Sequence, residues 1–288
     1  MMGGNPMRLR EWLGRAVLAA GFSLSLLLIG AVLLAAAARG LRGFDPGMLL
    51  RTPSVLYGRT GLLPQILNTA VLCLLSLSAA LPIGFGCAVL LLRAGDSPAA
   101  GILSAALGAL SSVPTAVYGL FGLLAFSQGL GLRYSILSGV LTAALLLLPT
   151  AAKTACRAME GLAHSCLPSA RALGATEAEC YCGIILPAAR RGLASAALLC
   201  AARVAGESAA LLLTSGIGNA APPLDPRGWG NYLLSSGATL AVGIYQALLE
   251  GENDAAFAAA LVLLLLLLLL GRAARVLGGK QNADQDNG

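Results

Sequence analysis

Charge is what this sequence is shortest of. Lysine, arginine, aspartate and glutamate make up 11% of its 288 residues, where a water-soluble domain carries about 25%. A chain so poor in charge, and 57% hydrophobic, has too little polar surface to cover itself in water; lipid is the solvent that suits it. Aromatic residues are also scarce, at 5%. No basic cluster with interleaved aromatics occurs, so the excess of 19 basic over 13 acidic residues points to membrane topology and not to nucleic acid. Histidine occurs once, at His164. A serine protease acting inside a membrane needs a histidine facing its serine there, and His164 lies between apolar runs with no catalytic arrangement around it. No GxxxxGK followed by Ser or Thr occurs, so the chain has no phosphate loop for ATP. The seven cysteines show neither a secreted disulfide pattern nor the paired spacing of a structural metal site. Cys156, Cys166, Cys180 and Cys182 read as incidental loop cysteines, and no metal is expected.

What is present is apolar length. A bilayer core about 30 Å thick needs about 20 apolar residues as a helix, the form that satisfies its own backbone. Six stretches qualify: 16–38, 67–92, 99–127, 134–152, 193–215 and 255–271. Pro82, Pro114 and Pro149 interrupt three of them, which packed neighbours tolerate. Gly84, Gly119 and Gly122 allow close helix approach. The first run resembles a signal peptide, but its length marks a retained span. Six spans with both termini cytoplasmic put twelve of the 19 basic residues inside and six outside, with Arg203 within a span, and this bias favours that orientation. Residues 231–250 are too polar for a span and read as an external helix or partly inserted hairpin. The expected fold is all-α, a polytopic transmembrane helical bundle. Residues 1–15 form a cytoplasmic N-terminus, 16–275 the membrane domain and 276–288 a polar tail, of which 281–288 is expected to be disordered.

Residues 153–192 form the longest cytoplasmic segment, with none of the Gly/Ser or Pro richness of a tether. Residues 169–179 suit a short helix, Pro168 suits its first turn, and Pro187 punctuates its far side. Gly174, nine residues, Ile184, one residue, then Leu186-Pro187 resembles the second half of the EAA signature of bacterial ABC importer permeases. Ala170 and Gly174-Ala175-Thr176 also match, while Pro168-Ser169 stands where the signature opens with Glu-Ala. The resemblance implies a type I ABC importer permease fold. It also implies a coupling helix that docks a cytoplasmic ATPase through Ser169, Ala170, Gly174, Ala175, Thr176, Ile184, Leu186 and Pro187.

Three further segments resemble one family within that class, the A-type permease subunits of bacterial phosphate-specific transport systems. They are Ser111-Ser112-Val113-Pro114-Thr115-Ala116-Val117-Tyr118-Gly119-Leu120-Phe121-Gly122, Arg203-Val204-Ala205-Gly206-Glu207-Ser208-Ala209, and Ala238-Thr239-Leu240-Ala241-Val242-Gly243-Ile244-Tyr245. The resemblance implies a multi-pass bacterial inner-membrane subunit, with no enzyme activity or cofactor of its own, that translocates inorganic phosphate. ATP and magnesium would sit on a dimer of partner ATPase subunits, beside a second, C-type permease and a periplasmic phosphate-binding protein docking on residues 39–66 and 216–254. Another oxyanion such as sulfate or molybdate, or an ATP-independent secondary transporter, are the alternatives. Arg203 and Glu207, four apart, share one face of a continuous helix. They form either an anion pathway, to which Ser111, Ser112, Thr115 and Tyr118 add hydroxyls, or a buried ion pair that only orients helices. Lys153 and Arg157 read as positive-inside anchors.

Overall fold

The computed structural model describes residues 6–53 and 61–286, with side chains over 14–53 and 61–279. Arg8, Arg10, Arg59 and Lys280, used in the charge count, have side chains outside that set. Among the described residues the chain is helical, with a single isolated antiparallel bridge between Asn219 and Gly237. Among the described residues, five helices are long and apolar enough to cross a membrane. They are α1 (Pro6–Gly43), α2 (Leu63–Ala94), α5 (Ile136–Ala172), α6 (Leu186–Ala205, extended at its start by a π-helical turn, Glu179–Ile185) and α10 (Asn253–Asp286). A sixth crossing is available if α3 (Pro98–Ser112) and α4 (Thr115–Gly122, continued by a π-helical turn, Leu123–Gly129) are taken as one, although they are bent by 94°.

That bend is the form the expected Pro114 interruption of 99–127 takes. Proline lacks the backbone donor and crowds the residue before it out of the helical region. Val113 accordingly adopts φ −67°, ψ 128° and α3 stops there. Pro82 and Pro149 are instead carried inside α2 and α5, as packed neighbours permit. The start of α3 is set by Ser97, whose side chain accepts from Ala100 N at 3.2 Å, and that of α5 by Ser135, which accepts from Ser138 N at 3.2 Å. These are ordinary N-cap bonds.

The centre of the bundle is α5, which packs chiefly against α2 and α6, while α10 packs against α6, α1 and the short helix α9 (Leu240–Leu249). Leu72, Ile136, Leu147, Ala151, Cys200 and Val204 lie in this core. Small residues set its spacing. A methyl on Gly84 would stand 2.7 Å from Ala151 Cβ, and one on Gly122 would overlap Thr142 Oγ1 and stand 2.8 Å from Thr214 Cγ2. The outer faces of α1 and α10 are apolar and exposed, as at Leu27, Leu34 and Leu269, which suits lipid.

Residues 207–250 do not cross as one helix. They form α7 (Ala209–Leu212), α8 (Trp229–Leu233) and α9; α9 has 10 residues, about 15 Å of rise and half the bilayer core. The group is fastened to the start of α2 by Asn68, which is fully buried. Its amide donates to Ala220 O at 2.8 Å and Ala238 O at 3.1 Å and accepts from Tyr232 Oη at 2.8 Å. At the next residue, Thr69 Oγ1 accepts from Leu240 N at 2.9 Å. At the other end of the chain, α10 stays helical through Asp286, over the stretch expected to be a disordered tail; residues 281–286 hold no proline or glycine to stop it.

Removing the Asn68 amide strands two carbonyls and a hydroxyl. Asn68→Leu is expected to cost about 3 kcal/mol and Tyr232→Phe about 1 kcal/mol, read as the order of melting temperatures of the purified chain in one detergent.

Candidate functional site

Two regions hold the candidate residues, one at each level of the bundle. The first is the end of α5. At 37 residues α5 is about 55 Å long, so it projects well beyond a 30 Å bilayer core. The projecting part is stiffened by a core of its own, in which Ala88 of α2, Ala155, Met159 and Ala163 of α5, and Tyr181, Ile185 and Ala189 of the returning helix pack together.

The expected coupling helix over 169–179 is not one helix but a corner between two. Pro168 lies inside α5, and α5 closes at Leu173. There Gly174 N donates to Arg171 O at 3.0 Å and Ala175 N to Ala170 O at 3.1 Å, while Gly174 takes φ +82°. This pair of bonds, with a glycine in the left-handed region, is the Schellman ending. The next helix begins at once with a capping box. Thr176 N and Oγ1 donate to Glu179 Oε2 at 2.8 and 2.7 Å, and Glu179 N donates back to Thr176 Oγ1 at 3.3 Å. Pro187 does not punctuate, because it falls in the first turn of α6 and is carried within that helix.

Of the residues expected to dock an ATPase, Ser169, Gly174, Thr176, Ile184 and Pro187 are exposed, Ala175 and Leu186 are half-buried, and Ala170 is buried. The corner's most prominent apolar side chain is Leu173, 89% exposed. Glu177 fastens the corner to α2, pairing with Arg93 and, at 3.4 Å, with Arg171. Sequence reasoning named neither Leu173 nor Glu177. The Thr-x-x-Glu pattern beginning at Thr176 was the signal that a helix starts there.

The second region surrounds the middle of α5. The helix expected to carry both Arg203 and Glu207 ends at Ala205 with Gly206 as its cap, so the two are not an i, i+4 pair. Glu207 Oε1 accepts from Ala210 N at 3.3 Å, at the start of α7. Arg203 Nη1 donates instead to Thr150 Oγ1 on α5, at 3.0 Å. The ion-pair alternative is therefore not what the structure contains; among the described residues no carboxylate pairs with Arg203. Tyr118 is within electrostatic reach of Arg203, but its hydroxyl donates to Leu110 O at 2.8 Å across the α3–α4 break. Ser112 Oγ donates to Ala109 O at 2.7 Å in the last turn of α3; Thr115 opens α4 and is half-buried. One turn along α5 from Thr150, Lys153 Nζ donates to Ser111 Oγ at 2.9 Å. The structure thus gathers Ser111, Tyr118 and Arg203 around one face of α5, adds Thr150 and Lys153 to them, and directs Glu207 elsewhere.

Crossing-length helices, one broken helix and a helical corner projecting past them define a multi-pass membrane protein. Residues 80–281 match the family model of the binding-protein-dependent transport system inner membrane component, and the chain belongs to that family. It is 32% identical over 159 residues to a phosphate transport system permease protein PstA homolog of Mycoplasma pneumoniae, covering 53% of this chain and 24% of that protein. It is 27% identical over 199 residues to a probable ABC transporter permease protein, YqgI, of Bacillus subtilis, covering 66% of this chain and 67% of that one. With PstA of Xylella fastidiosa it shares 26% identity over 178 residues, 62% of each. The chain thus spans about a quarter of the length of the Mycoplasma relative and nearer two thirds of the other two. Among solved structures, the inward-facing MetNI methionine ABC transporter contains a chain that matches in fold with a TM-score of 0.60 at 18% identity, over 76% of this chain and 95% of that one.

The corner gives a backbone test. Nothing lies within 4 Å of a methyl added at Gly174, so a substitution there is opposed by its positive φ alone. Gly174→Val is expected to cost about 1–2 kcal/mol and Gly174→Asn clearly less, in thermal unfolding of the purified chain.

Proposed function

We propose that this chain is the membrane-spanning permease subunit of an ATP-driven importer whose cargo is an inorganic oxyanion, phosphate first among them. The observation that carries the cargo is Arg203. Its guanidinium rests on Thr150, which lies fourteen residues into α5 and so about 21 Å from that helix's first turn, well inside a bilayer-thick stretch. A charge at that depth is costly unless it faces protein or an aqueous route, and its side chain is exposed on this chain. With a hydroxyl and no carboxylate as partner, Arg203 keeps its positive charge for a visitor. A guanidinium's fork fits the oxygens of a tetrahedral oxyanion. Relatives named for phosphate transport, in Mycoplasma pneumoniae and Xylella fastidiosa, favour phosphate over sulfate or molybdate.

In this reading both termini are cytoplasmic and the projecting corner sits in a cleft of an ATPase partner, with Leu173 at its tip. The ATPase dimer holds ATP and magnesium and does the hydrolysis; this chain does none. A second permease subunit completes the translocation route, and a periplasmic binding protein delivers the anion to the outer segments. Glu207, set at the start of α7 beside the outer end of α6, orders that end and does not neutralise Arg203. Ser112, Thr115 and Tyr118 shape the α3–α4 break next to the route.

Arg203→Gln in the assembled transporter, reconstituted in vesicles, is expected to lower phosphate uptake by about tenfold or more, the worth of one charge-assisted contact at low dielectric, with the amount of assembled complex unchanged. Undiminished uptake would remove Arg203 from the route. In the unchanged protein, competition among unlabelled phosphate, arsenate, sulfate and molybdate ranks the cargo; sulfate or molybdate displacing labelled phosphate better than arsenate does would reassign it.

A further inference from the structure

The route holds a second cation. We propose that Lys153, which the charge pattern alone makes a positive-inside anchor, is a direct contact for the transported oxyanion, paired with Arg203 along one face of α5. The proposal rests on the anion-importer reading and adds a residue and a charge requirement to it.

The argument starts from spacing. Thr150 and Lys153 are three residues apart on an uninterrupted helix, so they share a face and are separated by about 4.5 Å along the axis. Thr150 receives the Arg203 guanidinium and Lys153 donates to Ser111. Through contacts from α3 and α6, the hydroxyl that holds one cation and the residue that carries the other thereby lie one helical turn apart on α5. By its place in α5, Lys153 lies about 25 Å from the helix's first residue, about one turn short of the far edge of a bilayer-thick stretch, so its ammonium stands at the mouth of the route one turn beyond Thr150.

Partners decide the chemistry. Among the described residues the ion pairs are Arg51–Asp45, Arg93–Glu177 and Arg171–Glu177. Arg51, Arg93 and Arg171 are thus matched with carboxylates, whereas Arg203 and Lys153 are matched with neutral hydroxyls. A cation whose role is to tie helices gains most from a carboxylate; one that must exchange partners is better served by a neutral hydroxyl, which an anionic oxygen replaces because it adds the attraction of opposite charges. Ser111 and Thr150 hold the two side chains in place while the route is empty and give them up to the anion. Ser111 satisfies its own proton on Leu107 O at 2.7 Å, so it is not stranded when Lys153 leaves. Two cations along one route favour a doubly charged oxyanion over a singly charged or neutral solute.

The test uses the complete reconstituted transporter and labelled inorganic phosphate, with uptake normalised to assembled complex and ATP hydrolysis as the assembly control. Lys153→Gln is expected to lower uptake by about tenfold or more, Lys153→Arg to keep it within about threefold, and Ser111→Ala to keep it within about threefold because the hydroxyl only holds the side chain. Lys153→His supplies a readout that a helix strut does not move. Its uptake, relative to the unchanged protein, is expected to fall as pH rises through about 6.5 and the imidazole loses its charge. Lys153→Gln transporting like the unchanged protein overturns the proposal, and so does Ser111→Ala losing as much as Lys153→Gln while Lys153→His shows no relative pH dependence. If the unchanged transporter takes up none of phosphate, arsenate, sulfate or molybdate, the anion reading fails and this proposal with it. An active unchanged protein beside a fully active Lys153→Gln removes only the second cation.

Discussion

Close approach along α5 is the contact on which the rest of this molecule depends. In lipid, burying a leucine against another leucine gains little over leaving it in hydrocarbon, so helices associate where small residues let backbones come near. Gly84 meets Ala151 and Ala152, Gly122 meets Thr142, and Gly139 meets Ser215 and Leu72, each bringing a different neighbour onto α5. This packing positions the polar residues that matter. Thr150 lies next to Ala151 at the α2 crossing, and Lys153 follows Ala152, so the spacing that seats α2 on one side of α5 fixes where the hydroxyl and the ammonium emerge on the other.

Much of the fold was legible because lipid enforces a coarse rule. The lengths of the apolar runs located the helices that became α1, α2, α5, α6 and α10, and the glycines at 84, 119 and 122 do stand at tight contacts. What could not be read was where a helix bends or stops. Pro82, Pro114 and Pro149 look alike in sequence, but only Pro114 breaks its helix, because the outcome depends on whether neighbours hold the segment straight. The stop at Ala205 was missed for a related reason. Arg203 and Glu207 have helical spacing on paper, and Gly206 between them was not weighed as a cap.

The projecting corner shows the same division. Its motif residues were found by resemblance, but their form was misjudged, since a run of good helix formers on either side of Gly174 reads as one helix unless the glycine's backbone is considered. The positive φ there and the capping box after it turn the chain sharply without a flexible loop. The corner is therefore stiff, and what it offers outward is Leu173 and a ring of small side chains. The glutamate absent at position 168 leaves no gap in the local ion pairing, because Glu177 already draws the corner to Arg93 on α2.

That last contact changes how α2 is to be regarded. Asn68, near its first turn, is bonded to the short-helix layer at one end of the bundle, and Arg93, in its last turn, is bonded to the corner at the other. The 25 steps of helical rise between them make a rod about 37 Å long, pinned at both ends. A pinned rod cannot let one end shift alone; it tilts as a whole or flexes where a backbone bond is missing, and Pro82 is the one such place along it. Displacement at either face of the membrane therefore has a fixed path through the bundle, and a single proline sets how much of it is absorbed on the way.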